Sequence, residues 1–159
     1  MKDLGPLHFF LGLEVWQEPE GIFLGKGKYT VEILQRFGMM DCKSMPTPMV
    51  SNLKLLSDTS SDRVDSTIYR QMIRSLIYLT NTRLDICFAI NTLSQFMVEP
   101  RRVHWIAAKH VLSYLKGTVE YGLRYKADHE INLQGYTDAD WAGSISDQKR
   151  TFGCCFNLG

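Results

Sequence analysis

Val103-His-Trp-Ile-Ala-Ala-Lys-His-Val-Leu-Ser-Tyr-Leu115, followed by Lys116-Gly-Thr118 and then Tyr121-Gly-Leu-Arg-Tyr125, is the stretch in which the chain changes its period. Trp105, Ala108, Leu112 and Leu115 recur at intervals of three and four, which places them on one face of a helix running from about Val103 to Leu115. Lys116-Gly117-Thr118 ends it, since glycine takes a helix-terminating conformation without steric cost. Beyond that point Tyr121 to Tyr125, Ile131 to Thr137 and Thr151 to Leu158 favour strands and are separated by polar turns. Helices followed by a run of strands argue an α+β fold. Three strands with no covering helix leave one sheet face bare, so this last piece reads as an incomplete β-sheet.

Working back towards the N-terminus, Asp85 opens a second helix carrying Ile86, Ala89, Ile90, Leu93 and Phe96, stopped by Glu99-Pro100. A third, capped by Ser66-Thr67, carries Ile68, Tyr69, Met72, Ile73, Leu76, Ile77 and Leu79. These three form a central three-helix bundle. From Asp41 to Asp65 the composition turns to Pro46, Pro48 and many Ser, Asp and Thr residues, too poor in large apolar groups for a core. It reads as a linker or a surface crossing. Ahead of it, Phe9 to Trp16 and Gly21 to Leu24 are strand-like runs joined by Gln17-Glu18-Pro19-Glu20, an N-terminal β-hairpin. A short helix with Val31, Ile33, Leu34 and Phe37 follows, closed by Gly38. The expected division is 1–45 for hairpin and helix, 46–65 for the linker, 66–118 for the bundle and 119–159 for the incomplete sheet.

The 159 residues are 45% hydrophobic and 22% charged, enough for one ordinary domain or two small ones, with no segment able to cross a bilayer. Eighteen basic against seventeen acidic side chains leave a net charge of +1, so any nucleic-acid binding surface must be local. Met1-Lys2 and the apolar run to Leu13 imitate a secretory signal, but Asp3, Pro6, His8 and Glu14 interrupt it, and it is read as a strand of the fold. Cys42, Cys87, Cys154 and Cys155 form no Cys-x-x-Cys pair, which argues reduced, buried thiols and no zinc site. The adjacent pair would point to opposite faces of a strand.

Asp138 and Asp140, in Gly135-Tyr-Thr-Asp-Ala-Asp-Trp141, are candidate metal ligands, because alternate residues of a strand share a face and two carboxylates there suit a hard cation such as Mg²⁺. A structural role at a strand end is the competing reading. Two-metal phosphodiester chemistry needs more carboxylates than this, and Asp147 is the sole acid after residue 140. Arg102, Lys109 and Lys116 recur every seven residues and make a basic stripe along one side of the last helix. Such a stripe can follow phosphates, although on a chain of balanced charge it is more often a solvated face. His104 and His110 are six apart and do not share a face as ligands would. Gly12, Gly21, Gly25 and Gly27 lack the spacing of a phosphate loop and read as turn residues, and no Gly-x-Ser-x-Gly elbow occurs.

Taken in order, several blocks carry a family resemblance: Met1-Lys-Asp-Leu-Gly5, Phe10-Leu-Gly-Leu-Glu14, Phe37-Gly-Met39, Thr47-Pro-Met49, Tyr69-Arg70, Ser75-Leu-Ile-Tyr-Leu79, Leu115-Lys-Gly-Thr118 and Gly135-Tyr-Thr-Asp-Ala-Asp-Trp-Ala-Gly143. They resemble the copia-type retrotransposon polyprotein, from the C-terminal part of reverse transcriptase into the start of RNase H, over nearly the whole chain. The resemblance implies a primer-grip-like hairpin at the end of the palm, a thumb- and connection-like bundle, and a truncated, RNase H-like set of strands in which Asp138 is the first metal-binding acid. It also implies that the family's Tyr-x-Asp-Asp turn belongs upstream of Met1 and the later RNase H acids beyond Gly159. The sequence holds no Asp-Asp, and Arg150 and Phe152 replace the small hydroxyl residues usual in the family.

The expected function is therefore that of a truncated, catalytically inactive remnant, not an enzyme and without a cofactor, Mg²⁺ entering only if an RNase H site were completed. Its expected partner is an RNA/DNA primer–template held weakly by Arg102, Lys109 and Lys116, in the nucleus or cytoplasm. The alternative is a protein-interaction module acting on a host protein. Short chains of this kind resemble secreted RxLR-type effectors of downy mildews, although no Arg-x-Leu-Arg occurs and Arg74-Ser-Leu-Ile77 is the nearest echo.

Overall fold

The run from Phe9 to Trp16, expected as a single strand, is folded back on itself in the computed structural model of the chain, which describes residues 5–50, 62–127, 133–140 and 151–158. Strand β1 (Phe9–Phe10) pairs antiparallel with β2 (Leu13–Glu18), Phe9 facing Glu14 and Phe10 facing Leu13. Leu11 and Gly12 turn the chain with φ of 49° and 79°, the left-handed pair that a tight two-residue hairpin requires and that glycine makes accessible. Gln17 and Glu18, expected in a loop, continue β2, leaving Pro19-Glu20 to connect to β3 (Gly21–Gly25).

Four α-helices follow among the described residues, as the apolar spacing predicts. Helix α1 (Gly27–Arg36) buries Thr30, Ile33 and Leu34. The Gly38 N–H bonds the Gln35 carbonyl and the Met39 N–H that of Leu34, with Gly38 at φ 63°, so this glycine closes the helix as expected. Helix α2 (Ser66–Leu79) is capped by Asp65, not by Ser66-Thr67, because the Asp65 carboxylate accepts the Thr67 N–H at 2.7 Å. A 3₁₀ turn (Leu84–Ile86) leads into α3 (Cys87–Ser94), and α4 spans Arg102–Gly117.

All four helices feed one apolar cluster. Ile33 and Leu34 of α1, Tyr69, Met72, Ile73, Leu76 and Leu79 of α2, Ile90 and Leu93 of α3, and Leu112 and Leu115 of α4 are essentially solvent-free. The Tyr69 phenol, pushed up in pKa by burial, donates to the Leu93 carbonyl at 2.9 Å, so the core holds no orphan hydroxyl there. Of the face expected on α4, Ala108, Leu112 and Leu115 are buried and Trp105 is half-buried, while His104, Ala107 and Val111 are buried as well. The free Cys42 and Cys87 are half-buried, less enclosed than expected.

The C-terminal strands do not form a three-stranded sheet. Strand β4 (Gly122–Lys126) joins the N-terminal strands in the order β1-β2-β3-β4. Gly122 permits this: a Cβ there would meet the Leu24 carbonyl and the Phe23 ring, so only glycine lets the two backbones close. Strands β5 (Leu133–Asp140) and β6 (Thr151–Leu158) pair antiparallel with each other, from Leu133 opposite Leu158 to Asp140 opposite Thr151. The chain divides into two compact units, residues 1–18 with 22–125 and residues 19–21 with 126–159. The fold class is α+β. Among the described residues, no helix is long and apolar enough to cross a membrane.

Candidate nucleic-acid interface

Helix α4 carries the three residues of the basic stripe, and the structure gives each different company. Arg102 is exposed at the first turn, its backbone N–H held by the Asp62 carbonyl at 3.0 Å. Lys109 is half-buried with its ammonium 5.5 Å from the centre of the Trp105 ring, within cation–π range. The Lys116 ammonium donates to the Cys42 carbonyl at 2.6 Å, which ties the chain ahead of the linker to the end of α4. Met45 N–H to Ser113 carbonyl at 3.2 Å and His110 Nε2 against the Thr47 carbonyl at 2.9 Å continue that seam. At seven-residue spacing the cations stand about 10.5 Å apart along the axis.

The start of α4 is more basic than the stripe alone. Arg63 pairs with Glu99 at 2.6 Å, Arg101 approaches the same carboxylate at 3.7 Å, and Arg63 and Arg101 form an antiparallel bridge. Two arginines thus share one acid, and the exposed Arg102 follows them in sequence. Arg101-Arg102 was legible as a local charge pair, whereas Arg63 enters only through the fold. His104 is buried. Its Nδ1 accepts the Arg101 N–H at 2.9 Å and its ring stacks on Phe96 at 3.9 Å.

A second polar centre was not visible in the sequence. Arg83, 2% exposed, donates Nε and a terminal nitrogen to the two Asp85 oxygens at 3.0 and 2.7 Å, and reaches the Thr118 carbonyl and hydroxyl at 2.7 Å each. The Tyr114 phenol donates to Asp85 at 2.7 Å. Burial pushes the Asp85 carboxyl up, but the hydrogen bonds from Arg83 and Tyr114 and the Arg83 charge outweigh it and hold the group below the usual carboxylate range. An open cleft of about 420 Å³ lies beside this centre, lined by Phe23, Arg83, Asp85, Glu120, Tyr121 and Leu123. The satisfied Arg83 fixes the end of α4 and the 3₁₀ turn to each other.

Asp138 and Asp140 occupy alternate positions of β5, opposite Gly153 and Thr151. The geometry of their carboxylates lies outside the described residues, as do residues 1–4, most of the linker and Arg150. Among the described residues no group of three His, Cys, Asp or Glu side chains gathers to hold a metal ion. Two carboxylates on one strand fall short of the convergent set that a two-metal centre needs.

The chain is 43% identical over 160 residues to an uncharacterized mitochondrial protein of Arabidopsis thaliana, AtMg00810, an alignment covering 100% of this chain and 66% of that protein. It is 40% identical over 159 residues to the retrovirus-related Pol polyprotein from transposon RE2 of the same plant, covering 100% of this chain and 11% of the polyprotein. To the secreted RxLR effector protein 161 of Plasmopara viticola it is 41% identical over 91 residues, 57% of this chain and 64% of that protein. The chain thus spans less than two thirds of each of these relatives. No family model and no solved structure matches it.

Proposed function

We propose that the chain, similar along its whole length to retrovirus-related Pol polyproteins of transposons, is a copia-type retrotransposon remnant without catalytic activity that keeps weak binding to an RNA/DNA primer–template in the nucleus or cytoplasm. The observation that carries this reading is similarity along the whole chain to Pol polyproteins, 40% over 159 residues. On this reading residues 1–45 correspond to the primer-grip-like end of the palm, 46–65 to a linker, 66–118 to the thumb and connection, and 119–159 to the run into RNase H, in which β5 and β6 pair with each other while β4 joins the N-terminal strands. The sequence contributes no Asp-Asp to polymerase chemistry.

Binding would rest on α4. Arg102 is exposed, Lys109 is half-buried beside Trp105, and Lys116 has its ammonium already engaged by Cys42. The salt dependence should therefore come mainly from Arg102 and Lys109. Anisotropy of a labelled primer–template titrated at several salt concentrations tests this: Arg102→Ala with Lys109→Ala should lower the salt slope by roughly one per lost phosphate contact. An unchanged slope removes the stripe from the account. Metal-dependent primer extension or RNA cleavage by the purified chain above background overturns the non-catalytic part. The effector reading ranks behind, because that likeness takes in 57% of the chain and no Arg-x-Leu-Arg is present.

A further inference from the structure

Tyr78 lies on the last turn of α2 with 38% of its surface exposed, a position where a phenol is ordinarily satisfied by water. Here the surrounding chain converges on it. Its hydroxyl donates to the Leu11 carbonyl at 3.1 Å, in the left-handed turn that joins β1 to β2. Gly12 abuts the same hydroxyl so closely that a Cβ at that position would overlap it. Lys26, 3% exposed, donates its ammonium to the Tyr78 carbonyl at 2.6 Å and stands 3.4 Å over the centre of the ring. Tyr29 of α1 packs against the ring edge-on at 4.8 Å.

The energetics make this arrangement informative. A buried ammonium carries a desolvation cost that an apolar side chain would avoid, and burial lowers the Lys26 pKa accordingly. The charge is therefore spent on holding one geometry. The hairpin has a second anchor at β2, where the buried Glu14 carboxylate accepts the Lys28 N–H at 2.7 Å and so meets the positive end of α1. With Glu14 fixing β2 and Tyr78 fixing the turn, the hairpin is held at two points to two different helices.

We propose that Tyr78 is a positioning residue that latches the β1–β2 turn to the end of α2, so that the exposed tip formed by Phe9, Phe10 and Leu11 is presented at a fixed tilt to the helical bundle. That the tip faces a primer–template rests on the function proposed above; the latch itself does not. Lys26 and Tyr29 seat the tyrosine ring, and its hydroxyl makes the bond to the turn.

Hydrogen exchange on the full chain tests the latch directly. Tyr78→Phe keeps the ring and deletes one exposed hydroxyl, so the protein folds. The amides of residues 9–16 should lose protection by about fivefold while those of Ile73 and Leu112 in the core stay unchanged. Gly12→Ala should produce a local loss at least as large, since it both crowds the Tyr78 hydroxyl and strains the φ of 79° at the turn, and serves as the positive control. Unchanged protection at residues 9–16 in either variant, or an equal loss throughout the molecule, overturns the proposal. In the primer–template titration Tyr78→Phe should weaken binding several-fold at an unaltered salt slope, because no phosphate contact is removed. A change of slope overturns the positioning role. Absence of any binding by the parent chain removes the nucleic-acid reading and leaves the latch to be judged by exchange.

Discussion

At the scale of single residues, a guanidinium with 2% exposure needs its counter-charge inside the fold, and Arg83 finds it two positions along, in Asp85. Asp85 keeps 34% of its side chain in water, so the pair is weaker than a fully buried one. Its folded pKa lies below the ordinary carboxylate value of about 3.9. The stabilisation it gives is therefore complete above that value and lost as the pH falls through the folded one. Asp85→Asn should lower stability at neutral pH by about 2 kcal/mol and flatten the acid limb below about pH 4, as measured by urea denaturation across pH. An equally steep acid limb in the variant would place the acid sensitivity elsewhere. The sequence displayed Thr82-Arg83 and Asp85 as neighbours, but not their partners Tyr114 and Thr118, which come from the far end of α4. Lys116 has the same lesson in reverse: its place in the stripe was legible from spacing, while the Cys42 carbonyl that occupies it is a product of the fold.

At the scale of elements, the helices were legible because their apolar spacing is dictated by one shared core, and period survives any choice of partner. Strand pairing is not so fixed. The run Tyr121 to Tyr125 reads equally well beside the C-terminal strands or beside the hairpin, and what decides is the close approach of Gly122 to Leu24. The break at Leu11-Gly12 was hidden for a related reason, since an apolar run conceals a turn unless its glycine is read as a positive-φ position. Gly122→Ala should cost about 2 kcal/mol through the clash with the Leu24 carbonyl and the Phe23 ring. Protection of the β3 and β4 amides should fall more than that of α2. Equal stability of the variant would mean that β4 can shift along β3 without loss.

At the scale of the whole molecule, the described core lies in the unit formed by residues 1–18 and 22–125, and every α-helix contributes to it. Leu112 is fully buried there, so Leu112→Ala should lower stability by about 2–5 kcal/mol, a cost that depends on how far the neighbours close the cavity. A chemical melt followed by helical circular dichroism measures it, and a loss below about 1 kcal/mol would show a core loose enough to collapse around the gap.

The seam along α4 has one more consequence. The chain touches the C-terminal half of this helix through Cys42, Met45 and Thr47, and returns to its N-terminal end through Asp62. One helix thus serves as a splint to which the chain is tied at both ends. Fraying of either end of the helix would therefore have to break one of these ties as well as helical hydrogen bonds.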